Sequence, residues 1–204
     1  MNLSSSSTKT STRLAYLKIS MPVPGTYVGG VMVTDERGLP IEFQYTEPIQ
    51  PNQIQQILYG QVLSRYIKQD VILGTLLKNL KEPYDCLLVD DEQLMEGEPT
   101  EAVIRISSAQ SQRLPEVGMI EQFSPTDYLL QVTAESNPLR VQLHGVPQTN
   151  LLPENAGDGD VTLPESIKQA LLTAGQSMDL AEPLIRVEKA LMSICEEAGV
   201  KVGK

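Results

Sequence analysis

Apolar and polar positions first alternate along this chain and later recur at three- and four-residue steps, and that change of period divides it into elements. Residues 14–21 (LAYLKISM) set Leu, Tyr and Ile against Ala, Lys and Ser, the pattern of a short strand. Pro22 and Pro24 break it, because neither can donate to a ladder, and Gly25 suits a turn. Residues 28–34 form the next strand, in which Gly29 and Gly30 mark a bulge or a close approach by another backbone or a ligand. A turn at Asp35-Glu36-Arg37-Gly38 leads into Ile41, Phe43 and Tyr45, which alternate with Glu42, Gln44 and Thr46 as a half-buried strand. These two strands form a hairpin.

After Pro48 and Pro51 the period lengthens. Ile54, Ile57, Leu58, Val62, Tyr66 and Ile67 predict a helix to about residue 68, with Gly60 fitting a helix laid tightly on a sheet. A second helical stretch over 71–80 carries Ile72, Leu73, Leu76, Leu77 and Leu80 and stops before Pro83. Cys86 to Val89 is apolar without alternation, which predicts a strand buried on both faces and locally parallel; Asp90, Asp91 and Glu92 follow at its carboxyl end. Residues 102–106 read as a strand, 108–127 as irregular, and 128–134 with 139–143 as a second hairpin around Glu135-Ser136-Asn137-Pro138. Residues 146–161 have linker composition. Thr162 and Glu165 have capping-box spacing, and Val187, Leu191, Ile194, Cys195 and Ala198 form the apolar stripe of a last helix ending at Gly199. A helical hairpin of that size cannot stand alone, so it must pack on the sheet, on a second copy or on a partner.

The expected fold is therefore α/β (or α+β): a mixed sheet opening with a β-hairpin, a long helix, a buried central strand and a C-terminal helical hairpin. The expected division is a disordered Ser/Thr-rich leader (1–12), an α/β domain (13–145), a linker (146–161) and the helical hairpin (162–204).

Charge and chemistry narrow the functions. The 204-residue chain carries 16 Lys and Arg against 26 Asp and Glu, a net charge of −10, with no run of three basic residues. A protein gripping a phosphate backbone needs a concentrated basic face, so non-specific nucleic-acid binding is disfavoured on this count. No apolar run is long enough to cross a membrane. The two cysteines, Cys86 and Cys195, sit in apolar patterns without a CxxC, as reduced core thiols of a cytoplasmic protein. No GxxxxGK[ST] or GxGxxG is present, and the one histidine, His144, has no nucleophile elbow near it.

Asp90, Asp91 and Glu92 are the candidate metal ligands, since hard cations take carboxylate oxygens and ligands gather at the carboxyl ends of buried strands. The competing reading of the same residues is a solvated acidic loop. Tyr45, Tyr59 and Tyr66 read as core or boundary residues rather than a base-stacking platform.

The succession hairpin, helix, buried strand resembles the ribonuclease H-like fold in its order of elements. That resemblance implies a catalytic acid on the first strand and a glutamate on the helix. Neither LAYLKISM nor YVGGVMVT contains an acid, and the only acid between residues 51 and 80 is Asp70, which leaves Asp90 or Asp91 as the one matching position. The expected function is accordingly a non-catalytic interaction or assembly subunit, needing no cofactor. It would join another protein or a second copy through the C-terminal helices, with Val187, Leu191 and Ile194 as the docking stripe. The alternative is a divalent-metal-dependent phosphodiesterase or nuclease, using Mg²⁺ or Mn²⁺ at Asp90, Asp91 and Glu92. A small-ligand sensor at Gly29-Gly30 is a third reading.

Overall fold

The computed structural model describes residues 11–97, 101–146 and 163–200. Most of the expected leader and linker, and the Thr162 cap, lie outside the described residues. One eight-stranded sheet organises the rest: β1 (Arg13–Val23), β2 (Thr26–Asp35), β3 (Pro40–Tyr45), β4 (Cys86–Val89), β5 (Val103–Ser108), β6 (Ile120–Ser124), β7 (Asp127–Leu130) and β8 (Leu139–His144). Their spatial order is β3-β2-β1-β4-β5-β8-β7-β6. The central pairs β1–β4 and β4–β5 are parallel and the outer pairs are antiparallel. The expected mixed α/β sheet with a ribonuclease H-like order is the fold observed.

Period-two alternation explains why the central strands read as continuously apolar. Leu14, Tyr16, Cys86, Leu88, Ile104 and Ile106 enter one core, against α4 (Glu165–Gly175) and α5 (Glu182–Glu197). Ala15, Leu17, Leu87, Val89 and Val103 enter a second core on the opposite face, with Ile67, Ile72, Leu73 and Leu76.

Three details differ from the expected elements. β1 runs on through Pro22 to Val23, its register with β2 shifting after Ser20. The segment 108–127, expected to be irregular, contains β6, whose exposed residues give the alternation rule little to detect. The two expected helices are one interrupted series: α1 (Gln53–Tyr59), a 3₁₀ turn (Gly60–Val62), α2 (Leu63–Tyr66), a π-helical segment (Ile67–Leu73) and α3 (Gly74–Asn79).

Gly60 accounts for the first interruption. Its φ of 51° ends α1, and its N–H donates to the Gln56 carbonyl. A Cβ there would meet nothing, so this glycine serves backbone conformation rather than close packing. Close packing is instead the role of Gly29 and Gly30. A Cβ on Gly29 would overlap Ile72 of the π segment, and one on Gly30 would lie 3.1 Å from Leu191 and 3.3 Å from Val187 of α5. The paired glycines let a helical layer settle on each face of β2, with Phe43 of β3 also 3.3 Å from the Gly30 position.

The apolar stripe of α1 is not covered in this way. Ile54, Ile57 and Leu58 are 68, 72 and 75% exposed, and α1 buries no residue. Periodicity located the helix correctly but did not report which side was covered.

Candidate functional site

Parallel pairing of β1 with β4 places Leu17 opposite Val89, so Lys18 and Asp90 follow side by side at the carboxyl end of β4. Lys18 has the same parity as Leu14 and Tyr16 and turns toward α5. There its Nζ donates to Asp90 Oδ2 at 2.5 Å and lies 3.8 Å from Glu188 Oε2. The Lys18 side chain is 17% exposed.

Asp91 is held on the opposite side of the sheet. Lys68 of the π segment donates to its Oδ2 at 2.6 Å, and its Oδ1 accepts from the Gln93 N–H at 2.9 Å, capping a short 3₁₀ turn (Glu92–Met95). Gln69 reinforces that turn through bonds to the Gln93 and Glu96 carbonyls. Glu92 is 79% exposed and lies 3.4 Å from Arg105 of β5. The three acids are consecutive in sequence but diverge in space, each with its own cation.

Arg105 continues the polar arrangement across the sheet. Its Nε donates to the Asp90 carbonyl, and its Nη1 donates to Gln142 Oε1 on β8 at 2.6 Å. Gln142 donates in turn to Asp127 on β7, which also accepts two hydrogen bonds from Arg140 at 3.0 and 2.6 Å. Those Arg140 bonds hold the Asp127 carboxyl below the usual aspartate range, against the opposing effect of burial. The second core extends along this face no further than Val103. Beyond it Arg105, Gln142 and Arg140 form a polar row, and Arg140 shares a shallow cavity with Ser107, Leu129 and Phe123, the last 59% exposed.

A divalent cation needs several oxygen donors converging on one point. Asp90 and Asp91 instead turn to opposite faces, and among the described residues no group of three or more His, Cys, Asp or Glu is placed to hold a metal ion. The donor set does not fit the metal centre that Asp90, Asp91 and Glu92 would make.

The other candidates have structural roles. Val187 and Leu191 are fully buried against β1 and β2, and Ile194 packs partly buried on the same core. The stripe read as a docking face is thus covered by the protein's own sheet. Cys86 and Cys195 are free and buried, and burial pushes the Cys86 thiol up to about 12, with the Asp85 charge adding to it. His144 pairs with Val103 in the β5–β8 ladder, its buried Nε2 has no hydrogen-bond partner, and burial lowers its pKa. Tyr59 and Tyr66 stack on one another at 4.8 Å, outside both cores. Lys18, Arg105 and Arg140 were not singled out from the sequence. Only Lys18 left a signal there, as a lone cation at core parity in an apolar strand.

The fold has known counterparts. Endonuclease V from Streptomyces avermitilis superposes with a TM-score of 0.56 at 11% identity, covering 93% of this chain and 83% of that one. Ciona intestinalis endonuclease V, solved with an inosine-containing DNA, gives 0.49 at 9% identity over 93% and 87% of the two chains. Human endonuclease V gives 0.46 at 10% identity over 92% and 86%. No protein-family model matches the sequence. No curated protein matches it either.

The likeness to an endonuclease overturns the expected assembly subunit, along with the expected interaction and oligomer roles of the C-terminal helices and the disfavouring of nucleic acid. The physical reasons are two. The α5 stripe is spent on its own core. A net charge of −10 is a sum over the whole chain and does not exclude a local row such as Arg105 and Arg140 on one face of the sheet. As for membranes, no helix among the described residues is long and apolar enough to cross one.

Proposed function

We propose that this chain binds a nucleic-acid strand along the carboxyl edge of β4 and the open face of β5, β8 and β7. The observation that carries the reading is the row of Arg105, Gln142 and Arg140, beside the exposed ring of Phe123, in a fold shared with an endonuclease V. Guanidinium groups suit phosphate because they present several donors in one plane, and Arg105 is already oriented by Gln142 and the Asp90 carbonyl. Glu92, mostly in solvent, is the counter-ion a phosphate would displace from Arg105. Phe123 offers a flat apolar face on which a base can stack.

Fluorescence anisotropy with short single-stranded DNA and RNA tests this directly. Wild-type protein should bind, with log K falling as salt rises, because each neutralised phosphate releases counter-ions. Arg105→Ala should weaken binding about tenfold, as expected for a hydrogen bond to a charged group, and lower the salt slope by roughly 0.7. Absence of binding at low salt would reject the proposal.

A second reading, a Mg²⁺- or Mn²⁺-dependent phosphodiesterase, has in its favour the position of Asp90 at the carboxyl end of β4, next to β1. It ranks below the first because its three carboxylates are separated and individually paired. We derive no cleavage step from them.

A further inference from the structure

We propose that the Lys18 ammonium stands where a divalent cation would neutralise Asp90, so that the carboxyl edge of the sheet meets a phosphate with a built-in cation and needs no metal. This rests on the nucleic-acid reading for its ligand, but the replacement itself stands on geometry. Lys18 is the one cation among the β1 side chains that face the α5 core, and its neighbours there, Leu14 and Tyr16, are fully buried. An ammonium at that parity requires an anion close by. Two are supplied from separate elements, Asp90 at the end of β4 and Glu188 on α5.

The ammonium is thereby held between two carboxylates, one following β4 and one on α5. A metal ion seeking Asp90 would have to displace an ammonium that is anchored to β1 by its own side chain and hydrogen-bonded to Asp90 at 2.5 Å. Of the three donors that an ammonium carries, one is committed to Asp90, and Glu188 at 3.8 Å lies beyond hydrogen-bond distance, so donor capacity remains for a phosphate oxygen. Lys68 and Asp91 repeat the pairing on the opposite face, with both side chains 16% exposed. Each acid of the Asp90-Asp91 pair is thus neutralised on its own side of the sheet.

The decisive change is Lys18→Asp, which replaces the tethered cation with a carboxylate facing Asp90 and Glu188. Thermal unfolding is followed with and without millimolar Mn²⁺ as the sole added ligand. Wild type and Asp90→Asn should each unfold at a temperature independent of Mn²⁺. Lys18→Asp should be stabilised by Mn²⁺, with a midpoint rise of roughly 5–10 °C once the ion is about 100-fold above its Kd. The double variant Lys18→Asp/Asp90→Asn should lose that rise. Lys18→Asn, which adds an oxygen donor without a third negative charge, serves if Lys18→Asp does not fold.

An Asp90-dependent Mn²⁺ response in wild type would overturn the proposal. So would well-folded Lys18→Asp and Lys18→Asn proteins that both ignore Mn²⁺. In a second arm, oligonucleotide binding by wild type should be unchanged by EDTA, whereas binding by Lys18→Asn should come to require Mn²⁺. EDTA-sensitive binding by wild type would overturn the proposal as well. If wild type binds no oligonucleotide, the proposed function fails, while the Mn²⁺ arm still decides the role of Lys18.

Discussion

Gly29→Ala lowers stability by about 3 kcal/mol, the upper end of what overpacking costs in a filled core. For a chain of this size that is a fall of roughly 6–12 °C in the unfolding midpoint. The added methyl would occupy space held by Ile72, and the surroundings cannot yield easily: β2 is paired to β1 on one side and β3 on the other, while Ile72 itself is fully buried. Gly30→Ala is the internal comparison. Its Cβ would lie 3.1–3.3 Å from the ends of the Leu191, Phe43 and Val187 side chains, which can shift slightly, so its cost is about 1 kcal/mol. Chemical or thermal unfolding of the two variants checks the order. Equal stabilities would mean that the π segment is not seated on β2 as described.

Leu191→Ala costs about 3 kcal/mol through lost burial and the cavity left between α5 and β2. Leu191 is fully buried, and its Cδ2 is the nearest neighbour a Cβ on Gly30 would meet. Ile185, on the same helix but 50% exposed, gives the contrast: Ile185→Ala stays within about 0.5 kcal/mol of wild type. Denaturant titration distinguishes the two. If Leu191→Ala were as stable as wild type, α5 would be facing outward and the packing described here would be wrong.

Much of this architecture was legible in the sequence because burial and backbone period agree along the sheet. β1 to β4 are legible from alternation or from a continuous apolar run, and the run itself implies helices on at least one face. The long helical series was found but not its side. Ile54, Ile57 and Leu58 repeat with helical spacing as faithfully as core residues do, and spacing carries no information about what lies opposite. β6 was missed because its side chains are largely exposed, so no apolar contrast marked it.

The site is less legible for a different reason. Asp90, Asp91 and Glu92 look like a unit because they are consecutive, although the two-residue period of the strand they follow already sends neighbours to opposite faces. Applied one residue further, that rule separates Asp90 from Asp91. The same rule exposes Lys18, whose parity with Leu14 and Tyr16 demands a nearby counter-ion. Arg105, Gln142 and Arg140 were beyond such reasoning, because their alignment depends on the β5–β8 register, a pairing between strands far apart in the chain.

The exposed α1 has a consequence for how the molecule opens. It holds its form through its own backbone bonds and the reciprocal Asn52–Gln55 cap, with no buried side chain to anchor it. Seven residues fall well short of the roughly 12–15 at which an isolated helix stands in water. Its amide protons should therefore exchange with deuterated solvent through brief local fraying, while those of β1 and β2 wait for the whole sheet to come apart. A mass-resolved exchange time course would show α1 labelled within the earliest points and the central strands last, separating a quickly breathing rim from a slowly exchanging centre.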